Sequence, residues 1–175
     1  HPPQSRLEIH STMLLTIWRH GEAEDGVNDR LRQLTGRGRD DVSFGCSQFH
    51  AACHVRGIPQ PQRILHSPWV RTVQTAEIIA AAFSPCTVAA EQALHPGSEV
   101  AAVDAAIGAH GTQEHIVLVS HQPLVSAIVD HYLGGVGSVP FLTAGGLVTM
   151  SLDMVAPGCG NQVFWAFPPT YKETI

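Results

Sequence analysis

Lysine is almost missing from this chain: Lys172 stands alone, and the other nine of the ten cationic side chains are arginine. Charge is sparse overall, with 14% Asp, Glu, Lys and Arg and a net charge of −5, and no basic stripe is present. That balance excludes nucleic acid as the main partner. The four cysteines, Cys46, Cys53, Cys86 and Cys159, are widely spaced and form no CxxC pair, so they read as buried or free thiols in a reducing compartment. The apolar run at 13–18 is too short for a membrane span. It also lacks a basic leader and is followed by charges, which argues against a secretory signal. The expectation is a cytoplasmic protein without a membrane partner. Eleven histidines invite a metal, but most fall singly. His50 and His54, spaced i, i+4, are two neighbours without a third ligand, so no metal and no cofactor is expected.

With 44% hydrophobic residues in 175, the chain has enough apolar material for one domain with a real core. Residues 1–12 show no periodicity and precede Met13, and read as a disordered arm or an expression remnant. Residues 13–175 then form a single domain. Strands are predicted at 13–18, 62–66, 87–90, 116–120, 147–152 and 162–167. Helices are predicted from about Gly38 to Arg56, from Ser67-Pro68 (read as N-cap and first helical residue) to Phe83, over 98–109 behind a capping-type Ser98, and from Pro123 to Leu133. Gly45 weakens the first of these. The last two strands have no helix between them and are expected to pair antiparallel. The whole describes an α/β protein, a three-layer α/β/α sandwich with a mixed, mostly parallel sheet.

The chemistry gathers where strands give way to helices. The first strand ends in Arg19-His20-Gly21, the second in Ser67 with Arg71 soon after, and a later one in Ser120-His121. In open α/β sheets ligands bind beyond the carboxyl ends of the strands, where helix N-termini add unpaired N–H groups. Arginine supplies fixed charge, histidine can attack or shuttle protons, and a glycine allows close approach to the backbone. Taken singly, Arg19 could be a surface ion pair, Arg71 a solvated helix residue and His121 a packed residue beside a cap. Together they describe a pocket for a phosphoryl group.

These blocks resemble a known family. Trp18-Arg19-His20-Gly21-Glu22-Ala23 is similar to the RHG signature of the histidine phosphatase (phosphoglycerate mutase-like) superfamily. Ser67-Pro68-Trp69-Val70-Arg71-Thr72-Val73-Gln74-Thr75-Ala76 resembles its second block, and Ser120-His121 its second catalytic histidine. Asp29-Arg30-Leu31-Arg32-Gln33-Leu34-Thr35-Gly36-Arg37-Gly38 resembles the D-x-x-R-P-L-T-x-x-G stretch of the SixA-type phosphohistidine phosphatases, with Gln33 in place of proline. Ser120-His121-Gln122-Pro123-Leu124-Val125 resembles their S-H-x-P-L-V, and the long insertion of the mutases is absent between Arg71 and His121.

The resemblance implies a phosphoglycerate mutase-like fold and four catalytic residues, His20, Arg19, Arg71 and His121. Neutral His20 would attack phosphorus in line and water would hydrolyse the phosphohistidine enzyme, without a metal. Arg19 and Arg71 would hold the non-bridging oxygens, and His121 would donate a further hydrogen bond. Gly21, Arg32, Ser67 and Gln122 are the expected substrate-binding residues. The general acid that mutases and broad phosphatases carry after the second block has no match here: Glu91 and Glu99 lie in that region without the motif, and Glu22 is the substitute candidate. A site poor in acid suits an imidazole leaving group, whose conjugate acid has a pKa of about 6.5, better than an alkoxide. The expected substrate is therefore a phosphohistidine protein, such as a phosphotransfer domain of a two-component relay. The alternatives are a broad small-molecule phosphomonoesterase or mutase of the same fold, a metal-dependent hydrolase, and a non-catalytic phosphate-sensing module. The sequence leaves oligomeric state open, with a monomer expected.

Overall fold

The computed structural model describes residues 12–110 and 114–175, so the expected arm at 1–12 lies, apart from Thr12, outside the described residues. Six strands, β1 (Met13–Arg19), β2 (Arg63–His66), β3 (Thr87–Ala90), β4 (His115–Ser120), β5 (Leu147–Leu152) and β6 (Gly160–Ala166), form one sheet in the order β3-β2-β4-β1-β5-β6. β3, β2, β4 and β1 run parallel. β5 pairs antiparallel with β1, and β6 antiparallel with β5. The mixed, mostly parallel sheet read from the sequence is the one observed.

β1 and β4 lie at its centre, which explains their unbroken apolar sequences. Leu15, Ile17, Ile116 and Leu118 join the core on one face. Trp18, Val117 and Val119 join the core on the other. Helices α1 (Gly36–Arg56) and α2 (Val70–Ala82) cover the second face through Val42, Phe49, Ala76 and Ile79. Helices α3 (Val100–Ala109) and α4 (Leu124–Leu133) cover the first through Val103, Ile107, Val125 and Ile128. The one polar residue inside β1, Thr16, is fully buried and satisfied by the His115 ring at 2.7 Å and the Thr149 hydroxyl at 2.8 Å. His115 completes its own bonding with the carbonyl of Pro59 at 2.8 Å.

Three helix starts differ from expectation. α2 begins at Val70 rather than Pro68, with Trp69 as N-cap, because the Ser67 hydroxyl is committed elsewhere. α3 begins after Glu99, which makes no side-chain cap, and Ser98 stays outside the helix. α1 starts earlier than predicted, at Gly36, because Thr35 accepts from the Gly38 N–H at 2.9 Å as an N-cap.

Gly45, which weakens the helical reading of α1, sits where a Cβ would fall 2.5 Å from the Tyr171 ring. The tail after β6 returns over α1, its Trp165 bridging Thr174 and its Glu173 pairing with Arg56 at 3.1 Å. The buried Tyr171 donates its hydroxyl to the Gly145 carbonyl at 2.8 Å. Gly45 is thus retained for packing against its helix propensity. Gly45→Ala, which raises propensity by about 1 kcal/mol, is expected to destabilise the protein by about 1–3 kcal/mol from overpacking, read as a lowered midpoint in urea unfolding.

Candidate active site

The carboxyl ends of β1, β2 and β4 deliver Arg19, Ser67 and Ser120 to one edge of the sheet, each followed by a site residue. β4 lies between the other two, so the strand order brings His20 and His121 together. Their ring centroids are 5.3 Å apart and tilted by 59°.

His20 is fixed in one tautomer. Its Nδ1–H donates to the carbonyl of Gly21 at 2.7 Å, which leaves Nε2 with the lone pair, and Arg71 Nε donates toward that atom at 3.3 Å. The backbone is clamped as well: the His20 N–H donates to Ser120, its carbonyl accepts from Gly145, and the Gly21 N–H donates to Thr75 at 3.1 Å. Burial, followed by the nearby arginines, lowers His20 to about 4, against the opposing bond to Gly21. His121 is 2% exposed and is lowered to about 3, first by burial and then by His20 and Arg71. Both imidazoles are neutral at physiological pH, and His20 presents a bare nucleophilic nitrogen.

The cations around them are held by carbonyls. Arg19 donates through Nη1 to Leu142 O at 3.0 Å, and Arg71 through Nη1 to Asp29 O at 2.7 Å. Burial lowers both guanidinium pKa values; Arg71 adds to the effect at Arg19, while Asp29 opposes it at Arg71. Two buried nitrogens lack a protein partner here, Arg19 Nε and His121 Nδ1. Each buried polar group left unpaired costs about 1–3 kcal/mol. An oxyanion between the arginines would satisfy Arg19 Nε, and would satisfy His121 Nδ1 where that nitrogen carries the proton.

The remaining expected site residues are placed as follows. Ser67 is fully buried and its hydroxyl meets His121 Nε2 at 2.8 Å, so it orients the second imidazole. Gln122 turns its amide to Leu142 O at 2.9 Å and Ser126 at 2.8 Å, bracing the same carbonyl that holds Arg19. Arg32 pairs with Asp29 at 2.8 Å and bonds the Glu24 carbonyl at 2.6 Å. Glu22 is exposed and its carboxylate accepts from the Thr35 hydroxyl at 3.0 Å, at the start of α1. Gly21 makes room for α1 rather than for a ligand: a Cβ there would lie 2.9 Å from the Gly38 carbonyl and from Val42. Glu91 bonds His110 at 3.3 Å, and Glu99 is exposed at the head of α3.

Three contributors have roles that the sequence pattern does not show. Asp29 grips Arg71, Thr75 holds the Gly21 amide, and the Leu142 carbonyl holds Arg19. The carbonyl of Leu142 is invisible in a side-chain pattern, and Asp29 and Thr75 lie in motif blocks that assign them no contact. Among the described residues no group of three or more His, Cys, Asp or Glu is arranged to hold a metal; His50 instead stacks on Phe83. Cys46 and Cys53 are buried and pushed up to about 12, which removes them from nucleophilic chemistry.

Structural comparison gives this geometry its context. The chain superposes on the protein histidine phosphatase SixA complexed with tungstate at a TM-score of 0.77, with 26% identity over 89% of this chain and 97% of that one. The chain has the fold of the histidine phosphatase superfamily. Its fold is SixA-like. A putative phosphohistidine phosphatase SixA from Nakamurella multipartitia matches at a TM-score of 0.73 with 20% identity, covering 90% of this chain and 96% of that one. One from Agrobacterium tumefaciens matches at 0.73 with 17% identity, covering 90% and 99%. No protein-family model matches the chain, and no curated protein matches it in sequence.

The buried histidines couple stability to pH. His20, His115 and His121 fold with values of about 4, 4 and 3, below the unfolded value of about 6.5, so the unfolded chain binds more protons between these limits. Stability is fully present above pH about 6.5 and is lost as pH falls through about 4. Urea midpoints are expected to be level from pH 7 to 8 and to fall steadily from pH 6.5 to 4.5, with a shallower fall in His115→Gln.

Proposed function

We propose that this protein is a metal-independent phosphatase that removes the phosphoryl group from a phosphohistidine protein, through a phosphohistidine intermediate on His20. The observation that carries the reading is the neutral His20 ring, its Nδ1–H tied to Gly21 and its Nε2 lone pair facing Arg71, beside donors that lack protein partners. The lone pair of Nε2 forms the new N–P bond as the bond to the leaving group breaks. Arg19, Arg71 and His121 bind the equatorial oxygens, where charge is spread in the transition state. Water then attacks phosphorus on the opposite side, and His20 departs as neutral imidazole because Nδ1 keeps its proton on Gly21.

The leaving group supports the substrate class. Among the described residues neither active-site imidazole is hydrogen-bonded to a carboxyl group, and Glu22 is engaged at Thr35. Asp29 is held ionised, chiefly by its hydrogen bond to Arg32. An alkoxide has no evident proton donor here, whereas a ring-protonated imidazole leaves without one. The similarity to solved SixA phosphatases supports the same class. A phosphotransfer domain of a two-component relay fits as the protein partner, acting in the cytoplasm; among the described residues no helix is long and apolar enough to cross a membrane.

Two measurements test this reading. Rapid denaturation during turnover of a ³²P-labelled phosphohistidine protein is expected to trap acid-labile, base-stable label on His20. His20→Ala should carry no label and lose at least about 10³-fold in kcat, as removal of a covalent nucleophile does; full activity in that variant would defeat the mechanism. The wild-type protein is expected to keep its activity in EDTA and to prefer a phosphohistidine protein over sugar phosphates in kcat/KM. A large preference for the sugars would defeat the substrate assignment.

A further inference from the structure

Among the described residues Asp29 is the one carboxylate in direct contact with Arg19 or Arg71, and nothing in the mechanism above employs it. It lies in a short 3-10 turn, Asp29–Leu31, in the loop between β1 and α1. Its main-chain carbonyl takes Arg71 Nη1 at 2.7 Å, and its carboxylate takes Arg71 Nη2 at 3.4 Å and Arg32 Nη1 at 2.8 Å. The Arg71 side chain is 6% exposed while that of Asp29 is 54% exposed, so the carboxylate lies on the solvent side of the guanidinium. The Nε of the same guanidinium points inward to His20 Nε2. One arginine therefore connects the nucleophile at the pocket floor to a carboxylate at its mouth. In-line displacement requires the leaving group to depart on the side opposite His20, which is toward the mouth.

A carboxylate is a poor feature for binding a phosphoryl dianion, because it repels the charge that Arg19 and Arg71 attract. Arg32 and Arg71 meet part of its charge, and its solvent-facing lone pairs are left for a further partner with positive character. A phosphoimidazole has one: the ring nitrogen that does not bear phosphorus carries an N–H when protonated, and the ring is then cationic. A sugar or alkyl phosphate offers no such group.

We propose that Asp29 binds the leaving group, accepting a hydrogen bond from the free ring nitrogen of a substrate phosphohistidine and so selecting P–N over P–O substrates. The inference rests on the phosphohistidine reading above. In the step, the His20 Nε2 lone pair forms the N–P bond while the substrate P–N bond breaks. The electron pair of that bond returns to the substrate ring, which leaves as neutral imidazole with its proton still on the nitrogen facing Asp29. A carboxylate within hydrogen-bond distance favours the protonated ring, the form able to leave as neutral imidazole rather than as an anion. On the enzyme side Gly21 O does the same for His20, holding the proton on Nδ1. The two rings that exchange the phosphoryl group are each held by an oxygen at the nitrogen not bonded to phosphorus. The charged groups facing Asp29 are Arg32 from its own loop and Arg71 from α2, so the carboxylate remains ionised as acceptor.

The test compares wild type and Asp29→Asn on a phosphohistidine peptide and on p-nitrophenyl phosphate, whose leaving group carries no N–H. Because Asp29 also holds Arg71, the informative quantity is the ratio of the two kcat/KM values. That ratio is expected to fall about tenfold or more in the variant, in line with the loss of a charge-assisted hydrogen bond. The alkaline limb of the phosphohistidine profile should also move to lower pH, because the ring loses its proton more readily without the carboxylate. Asp29→Ser, with circular dichroism as a folding control, should behave alike. An unchanged ratio, meaning equal losses on both substrates or no loss on either, would show that Asp29 only props Arg71 and would overturn the proposal. Wild-type protein that turns over p-nitrophenyl phosphate but is inert toward phosphohistidine overturns the functional reading and this inference together, before any variant is made.

Discussion

The hydrogen bond from His20 Nδ1 to the Gly21 carbonyl is the constraint on which the rest of the site depends. A neutral imidazole has two tautomers, and one of them has its lone pair on the wrong nitrogen for attack. The Gly21 carbonyl selects the useful one, and much of the surrounding architecture fixes that carbonyl in place. Thr75 of α2 holds the Gly21 amide, Gly145 holds the His20 carbonyl, and α1 packs so closely that Gly21 and Gly38 both have to be glycine. The tail contributes through Tyr171, which binds the carbonyl of Gly145. The geometry of His20 is thus a property of the α1–α2 layer, the turn at Gly145 and the C-terminal tail rather than of one tripeptide.

Electrostatics complete what the tautomer begins. Two arginines and two imidazoles are desolvated at one edge of the sheet, and burial works against every positive charge there. The imidazoles respond by staying neutral and the arginines by binding main-chain carbonyls, which supply acceptors without cancelling charge. The pocket keeps net positive character toward an incoming phosphoryl group while its nucleophile keeps a lone pair. Preorganised donors of this kind contribute most when they need no reorganisation at the moment of reaction. Gln122 and Ser67 contribute by fixing partners, the first through Leu142 and the second through the His121 ring.

Much of the fold was legible because burial on both faces leaves a plain mark. The runs at Leu14–Trp18 and Ile116–Val119 read as buried strands, and the helix-free gap between the last two strands implied their antiparallel pairing. What misled was polar side chains with two possible employments. Ser67 has the sequence of a helix cap and serves His121 instead; Ser98 has the same look and caps nothing. Gly45 reads as a helix defect until Tyr171 is seen against it, more than a hundred residues away in the chain. Glu22 follows the nucleophile in sequence, yet a strand-end residue two positions on points elsewhere, and its carboxylate meets Thr35.

The sequence alone marked the candidate site: three strand-to-helix junctions, each bearing arginine, histidine or serine, are local patterns whose chemistry is written in residue type. The choice of α/β architecture followed from the same local periodicities. Only the tertiary structure decided which nitrogen of His20 keeps its lone pair, what Gly21 makes room for, and that Asp29 rather than Glu22 stands beside Arg71. Tautomers, close approaches and carboxylate–guanidinium pairs depend on distances between residues far apart in the chain. Such distances are set by the strand order that places β4 between β1 and β2, which no local pattern encodes.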